Sequence, residues 1–250
     1  MALRTPFWQL SRRTEVAAAR EAGGVVLLPT GSNEQHGEHL PVDTDIVIAT
    51  AVCQRAAEIA SDLPVLIAPP LWSGYSPHHM VFAGSMTLDL HTFQSVVYEI
   101  CLSIWNQGFR KIMLVNGHGG NIGPLTSVAQ RLTSAGHPLL WASHWDLARN
   151  EIAQILEGPR KGVGHACEYE TSLMLHLQPQ HVDMSKAVDF EDTEAVELRK
   201  AGISIASAFH AGDPGVHGYP SYATAEKGRR LLEVVGARLA EFVHRFYESV

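Results

Sequence analysis

The sequence predicts an α/β fold, a layered sandwich in which helices flank a mostly parallel central sheet. Short aliphatic runs alternate with longer amphipathic runs, and each short run is continuously apolar, as expected for strands covered on both faces. Such alternation is typical of βα repeats. With 250 residues, 46% of them hydrophobic, the chain is large enough for one substantial core. We predict a single domain over residues 1–250.

The elements follow one another in a regular order. The predicted strands are VVLLP (25–29), VLIAPPL (65–71), KIMLVNG (111–117) and LLWASHW (139–145). The segments with helical spacing that follow them are DIVIATAVCQRAAEIA, LHTFQSVVYEICLSIWNQG, NIGPLTSVAQRLTSAG and DLARNEIAQILEG. Two further helices are predicted at 166–177 and 224–248. The irregular stretch 178–223 between them is expected near the active site or at an interface, since long structureless loops are uncommon unless functional.

Composition and charge exclude several classes of protein. The net charge of −7 and a pI near 6.0 come without a face rich in lysine or arginine, so nucleic acid is not an expected partner. The start, MALRTPFWQLSRRTE, lacks the apolar core of a signal peptide, and no apolar stretch approaches the roughly 18 residues of a membrane span. We expect a soluble cytoplasmic protein with no membrane partner. Three cysteines without a CxxC pair indicate neither a disulfide framework nor a thiolate zinc site.

Polar segments that could carry chemistry follow the ends of the predicted strands. Parallel α/β sheets bind ligands outside the carboxyl ends of their strands. In chain order, the segments are GSNEQHGEHLPVDTD (31–45), SGYSPHHMVFAGS, NGHGGN and SHWD. The sequence therefore predicts a functional site at this edge of the sheet.

The first of these segments is the richest in acids and imidazoles. Glu34 and His36 are two residues apart, so in an extended chain both side chains project to the same side and can serve adjacent metal ions. Asp45 lies just ahead of the next helix, where its carboxylate could bridge them. So many ionisable groups at one strand end would be costly without a cation, which predicts a two-metal hydrolytic site. Three other residues are interpreted as solvated or supporting groups: Glu38, His39 and Asp43.

Two later segments add candidates and leave alternatives open. NGHGGN places His118 just beyond a strand, among glycines that let the backbone approach a ligand. A turn of this kind could equally cradle a phosphate, so a nucleotide- or phosphate-binding module is an alternative, although GxGxxG and GK[ST] are absent. GHACEYETS (164–172) sets His165, Glu168 and Glu170 at the start of a helix. The two glutamates lie about 200° apart around the helix axis, so one of them should point into the site.

Three of these segments, GSNEQHGEHLPVDTD, NGHGGN and GHACEYETS, resemble in this order the signature segments of the creatininase (creatinine amidohydrolase) family. VHGYPSYATAEKG resembles a segment that precedes the last helix in that family, and the resemblance covers roughly residues 20–240. It implies a layered α/β fold, two divalent metal ions of zinc, manganese or iron type, and a homohexamer. It also implies hydrolysis of a non-peptide amide C–N bond in a small molecule.

The resemblance also implies a role for each candidate residue. Glu34 and His118 would hold one metal ion, His36 would hold the other, and Asp45 would bridge the two. Glu170 resembles the carboxylate that completes the second site. His165 resembles a histidine that moves protons near the scissile bond, so His165 and Glu170 are the predicted catalytic residues.

The chain departs from the family where creatinine would bind. The creatinine-hydrolysing members have an aromatic residue and a carboxylate after the histidine that corresponds to His118, and here glycines occupy both places. Trp145 resembles a tryptophan that packs on creatinine, but GPRKGVG (158–164) lacks the second one. The predicted substrate contacts are Trp145, Gly119, Gly120 and Asn121. We expect creatinine to be a poor substrate, and a cyclic ureide or lactam, a formamide, or a short peptide all remain open.

Overall fold

The computed structural model describes residues 3–201, 209–210 and 212–249. Its strands are β1 (Val25–Thr30), β2 (Val65–Ile67), β3 (Lys111–Asn116) and β4 (Leu140–Ser143). They form a four-stranded sheet in the order β2-β1-β3-β4, and every strand pair is parallel. The predicted α/β class with a parallel central sheet is confirmed.

Within the described ranges one helix precedes the first strand, and the others lie between and after the strands. The helices are α1 (Arg13–Glu21), α2 (Thr44–Ile59), α3 (Leu90–Asn106), α4 (Ile122–Ser134), α5 (Arg149–Ile155), α6 (Glu168–Leu177), α7 (Thr193–Lys200) and α8 (Ala225–Glu248). None of these helices has both the length and the apolar character that crossing a membrane requires.

Strand β1 shows why the sheet is covered on both faces. All six of its residues are buried, and successive side chains point to opposite sides. Val25 and Leu27 enter one core together with residues of α2, α6 and α8, whereas Val26 and Leu28 enter a second core with residues of α3 and α4. A strand between two helical layers has no solvent face, which explains its continuously apolar sequence.

The structure corrects three details of the predicted elements. The second strand ends at Ile67 because the prolines that follow have no N–H for the ladder, although Leu71 N still donates to Pro29 O at 2.9 Å. Helix α1 was not predicted, since its sequence is mostly polar. The stretch 178–223 was predicted to be irregular but contains α7 and short 3₁₀ turns. Residues 202–208 and 211 of that stretch lie outside the described residues.

The three cysteines are buried free thiols. Cys53 and Cys101 lie in the two cores, as their helical apolar pattern predicts. Cys167 precedes α6, where burial raises its pKa to about 12. None of the three therefore offers a reactive thiolate near neutral pH.

Candidate metal centre

The candidate site lies at the carboxyl ends of β1 and β3, where the NGHGGN turn meets the start of α2. Asn116, the last residue of β3, clamps this turn: its Oδ1 accepts from His118 N at 3.1 Å and its Nδ2 donates to His118 O at 2.7 Å. Gly117 lets the helix approach, because a Cβ there would lie 2.6 Å from the carbonyl oxygen of Asp45. The clamp and the glycine together place His118 beside Asp45.

A first set of three donors is formed by Glu34, Asp45 and His118, all of them buried. Nδ1 of His118 lies 3.1 Å from Glu34 Oε1 and 3.2 Å from Asp45 Oδ2. Nε2 of the same ring lies 3.2 Å from the carbonyl oxygen of Tyr75. A carbonyl can only accept a hydrogen bond, so the neutral ring carries its proton on Nε2. The lone pair of Nδ1 then faces the two carboxylates, as a metal ligand requires.

A second set of three donors is formed by His36, Asp45 and Glu170, whose ligand atoms lie within 4.8 Å of one another. Nδ1 of His36 lies 3.1 Å from the backbone oxygen of Glu34, which places the ring proton on Nδ1. Nε2 is left facing Asp45 Oδ1 at 3.1 Å. Glu170 is the third residue of α6, and its Oε2 accepts from Cys167 N at 3.2 Å. Asp45 belongs to both sets, with one carboxylate oxygen toward each histidine.

The buried carboxylates raise the pKa values of the two histidines in the donor sets. Burial by itself lowers the pKa of His36, but the charge and hydrogen bond of Asp45 raise it to about 9. Burial likewise lowers the pKa of His118, yet Glu34 and Asp45 raise it to about 10. Burial raises the pKa of Glu170 to about 7. Protons on the two histidines therefore occupy the electrostatic role that cations would otherwise take.

The hydrogen bonding of the carboxylates fits a metal ion. Oε2 of Glu34 and Oδ2 of Asp45 are buried and accept no hydrogen bond among the described residues. The 3.2 Å contact of Asp45 Oδ2 with His118 Nδ1 pairs charges but lacks hydrogen-bond geometry. Buried anionic oxygens are costly without a partner. Imidazole nitrogen with carboxylate oxygen is a donor set that suits zinc, manganese or iron.

His79 is a residue of this site that was not predicted from the sequence. Its Nε2 lies 3.2 Å from Glu34 Oε1. Gly37 N donates to Gln35 Oε1 at 2.8 Å, which leaves Gln35 Nε2 to donate to His79 Nδ1 at 3.1 Å. The His79 ring therefore carries its proton on Nε2, the nitrogen that faces Glu34 Oε1, and this contact orients the carboxylate. The available signal was the position of SPHH just beyond β2.

His165 stands at the rim of the two donor sets, with its side chain 14% exposed. Its Nε2 lies 2.8 Å from Gln35 O and 3.0 Å from Gln35 Nε2, and the shorter contact, to an oxygen that can only accept, places the ring proton on Nε2 and the lone pair on Nδ1. Nδ1 lies 3.8 Å from Glu34 Oε1. Burial, together with the charge of His36, lowers the pKa of His165 well below its ordinary value. His165 also forms a third possible donor set with Glu34 and His36, so its geometry is compatible with proton transfer or with ligation.

Glu168 and Glu170 have separate environments, which resolves the choice that the sequence left open. The carboxylate of Glu168 accepts from the backbone N–H groups of Glu157 and Gly158 at 2.9 and 2.8 Å. Lys227 Nζ, itself buried, lies 2.7 Å from Glu168 Oε1. Glu168 therefore ties α6 to α8 and to the preceding loop, while Glu170 faces the donor sets.

Gly119, Gly120 and Trp145 line the cavity above the donor sets, whereas Asn121 does not. Asn121 is fully buried; its Oδ1 accepts from Tyr75 N at 2.9 Å and its Nδ2 donates to Gly31 O at 3.1 Å. Asn121 was predicted to contact the substrate, but its side chain instead links the loops that contain Tyr75 and Gly31. At Gly120 a Cβ would lie 2.3 Å from Tyr75 O, so this backbone has no room for a side chain.

The cavity has a volume of about 760 Å³. Phe209 forms part of its wall, with ring centroids 4.8 Å from His79 and 5.0 Å from His217. Phe209 and His217 both belong to the 178–223 stretch, so its described part reaches the candidate site, as the sequence analysis expected. His78 and Arg160 line the cavity as well, and neither was assigned from the sequence.

The comparison with known proteins decides the family. The family model described as creatinine amidohydrolase matches residues 9–243, which is most of the chain. The chain belongs to the creatininase family. The resemblance carried by the three motifs is thereby confirmed, and the protein is a hydrolase that acts on carbon-nitrogen bonds. The phosphate-binding alternative is replaced by this assignment.

Individual creatininase-family relatives differ in their named activities. A mycofactocin precursor peptide peptidase of Mycobacterium tuberculosis is 35% identical over 220 residues, covering 83% of this chain and 79% of the relative. A creatinine amidohydrolase of Pseudomonas putida is 30% identical over 243 residues, covering 90% of this chain and 91% of the relative. The solved structure of a creatininase mutant of the Zn-Zn type has a TM-score of 0.80 and 27% identity, covering 98% of this chain and 100% of that one. The shared fold is therefore confirmed, whereas the substrate differs among the relatives.

Proposed function

We propose that this creatininase-family protein is a dinuclear metal-dependent amidohydrolase. The observation that carries the proposal is the sharing of Asp45 between two buried donor sets, one with Glu34 and His118 and one with His36 and Glu170. Two divalent cations held there would lower the pKa of a bound water and polarise the amide carbonyl. The Zn-Zn type of the solved relative supports two ions, and zinc, manganese and iron are the proposed candidates.

His165 is the proposed proton carrier. Its lone pair on Nδ1 points toward the donor sets, while its Nε2 is held by Gln35 O. The lowered pKa keeps the ring neutral before reaction, so that it can accept a proton at Nδ1 and pass it to the departing nitrogen. Glu34, 3.8 Å from Nδ1, would stabilise the protonated ring during the transfer.

The substrate proposal follows from the cavity. The motifs imply a non-peptide amide, either cyclic or formyl, and the open cavity of about 760 Å³ also has room for a larger ligand. A short peptide is therefore a second candidate, which the peptidase relative of Mycobacterium tuberculosis also supports. A screen of the metal-loaded protein against hydantoins, lactams, formamidopyrimidines and short peptides separates the two classes, and no hydrolysis of any amide would refute the proposed function.

Creatinine is expected to be a poor substrate. Gly119 and Gly120 provide no wall for the ring, and no side chain fits at Gly120. Trp145 alone would stack on one face of so small a ring in so large a cavity. Steady-state hydrolysis of creatinine by the metal-loaded protein tests this. A kcat/KM of roughly 10⁴ M⁻¹s⁻¹ or above, the ordinary range for an enzyme acting on its own substrate, would contradict it.

We propose a homohexamer as the oligomeric state, by resemblance to the family, with the 178–223 stretch contributing to subunit contacts. Light scattering at micromolar concentration should then give about six times the chain mass of 27.3 kDa. A monomer under these conditions would rule the proposal out.

A further inference from the structure

Arg160 is the permanently charged cation of the cavity. The described residues that line this space include three carboxylates and several histidines. Among these described residues, Arg160 is the only lysine or arginine. It lies in GPRKGVG (158–164), the segment that leads directly into His165.

The guanidinium of Arg160 is held in place but keeps free donors. Nη1 lies 2.5 Å from Oε1 of Glu191, and the two side chains are 25% and 15% exposed. The Nε atom passes close to Gly164, where a Cβ would lie 3.4 Å away, and Gly164 directly precedes His165. Within the described part of the chain, Nη1 is the only nitrogen of Arg160 that donates a hydrogen bond to a protein acceptor. A guanidinium has five N–H donors in a planar fork, so donors remain for a ligand.

We propose that Arg160 binds a carboxylate of the substrate, which makes the hydrolysed molecule an acidic amide. This inference rests on the proposed function, since it concerns the molecule that the same site would cleave. The guanidinium fork matches a carboxylate in two parallel hydrogen bonds. The proposed metal ions would engage the scissile amide, so a separate anionic group of the substrate would need a cation elsewhere on the cavity wall, and Arg160 supplies one. Suitable molecules are a short peptide with a free C-terminus or another N-acylated amino acid.

A purely structural role is the competing explanation. In that case Arg160 serves to anchor its loop to Glu191, and any variant that breaks the pair has the same effect. Glu191→Gln removes the charge of the partner but leaves the guanidinium in the cavity. Lys161→Gln removes one positive charge from the adjacent residue, which is exposed, lies outside the cavity lining and donates to Leu156 O at 2.9 Å. These two variants are the matched controls for Arg160→Gln.

The test compares N-acetylglycylglycine with its carboxamide, N-acetylglycylglycinamide, on the zinc-loaded protein. Affinity is measured by calorimetry, or as kcat/KM when a probe is hydrolysed. The wild type should favour the acid by about 10- to 100-fold, the size of a hydrogen-bonded charge pair. Arg160→Gln should lose this preference while keeping its metal content and melting temperature, and both controls should keep the preference.

Three results would overturn the assignment of Arg160. The first is that the wild type binds both probes with equal affinity, and the second is that the preference survives in Arg160→Gln because the carboxylate binds the metal ions. The third is that Glu191→Gln loses the preference to the same degree as Arg160→Gln. A third probe, N-acetylaspartylglycinamide, carries its carboxylate on a side chain and shows which position is recognised. Because calorimetry reports binding even when no probe is turned over, failure of the proposed hydrolysis and failure of the carboxylate preference are separate results.

Discussion

Asp45→Asn should remove both metal ions from the protein and abolish amide hydrolysis. The substitution keeps the shape of the side chain but replaces one anionic oxygen by an N–H₂ group that cannot ligate. Asp45 faces His36 through Oδ1 and His118 through Oδ2, so one donor set loses its ligand atom and the other keeps only a neutral amide oxygen in place of an anionic one. Loss of a residue that merely hydrogen-bonds to a metal ligand lowers metal affinity by up to about 100-fold. Because Asp45 is itself a proposed ligand, affinity for each ion should fall by more than this. Elemental analysis after dialysis gives the ion content per chain.

The control for this variant is Asp43→Asn, the same chemical change two residues earlier. Asp43 precedes α2 and belongs to none of the donor sets, so its variant should retain both ions and most of the activity. His118→Ala provides a second comparison, because it should release the ion of the first set more readily than that of the second. Full metal occupancy in Asp45→Asn would remove the bridging assignment.

The sequence predicted the components of the site because parallel strands bring distant segments to one edge. Glu34, Asp45 and His118 follow β1 and β3, which are adjacent in the sheet, with Leu28 opposite Leu114 in register. Ends of neighbouring parallel strands must lie close together. Loops that follow such strands therefore meet in space, however far apart they are in the chain.

Other features depend on contacts that no local pattern contains. The choice of Glu170 over Glu168 depends on Lys227 of α8. This lysine lies 59 positions after Glu168 in the chain and neutralises the carboxylate of Glu168. Asn121 was expected to touch substrate because it lies in NGHGGN, but its amide is used by the backbone of two other loops. The place of His79 beside Glu34 likewise depends on the path of the chain after β2.

His165→Ala should retain both metal ions and lose roughly 10² to 10⁴ in turnover, the usual contribution of a general acid or base. The physical reason is the orientation of the ring: Nε2 is bonded to Gln35 O, and Nδ1 is the nitrogen that can exchange a proton with the site. Metal content and kcat are measured on the same preparation. His176→Ala is the matched control, since His176 lies on the exposed side of α6 and should change neither quantity.

The same measurement on His165→Ala separates three roles that the geometry alone permits. A proton carrier leaves the ions in place and lowers kcat, because the remaining ligands are untouched. A ligand of the Glu34 and His36 set loses metal and activity together, since that set would then have two donors left. The third role is structural: the backbone of His165 forms a pair of hydrogen bonds with the backbone of His217, at 3.0 and 2.8 Å. Alanine retains these N–H and C=O groups, so in this case the variant keeps both metal and turnover. Near-wild-type turnover with both ions bound would therefore eliminate His165 as the proton carrier and require another group for the departing nitrogen.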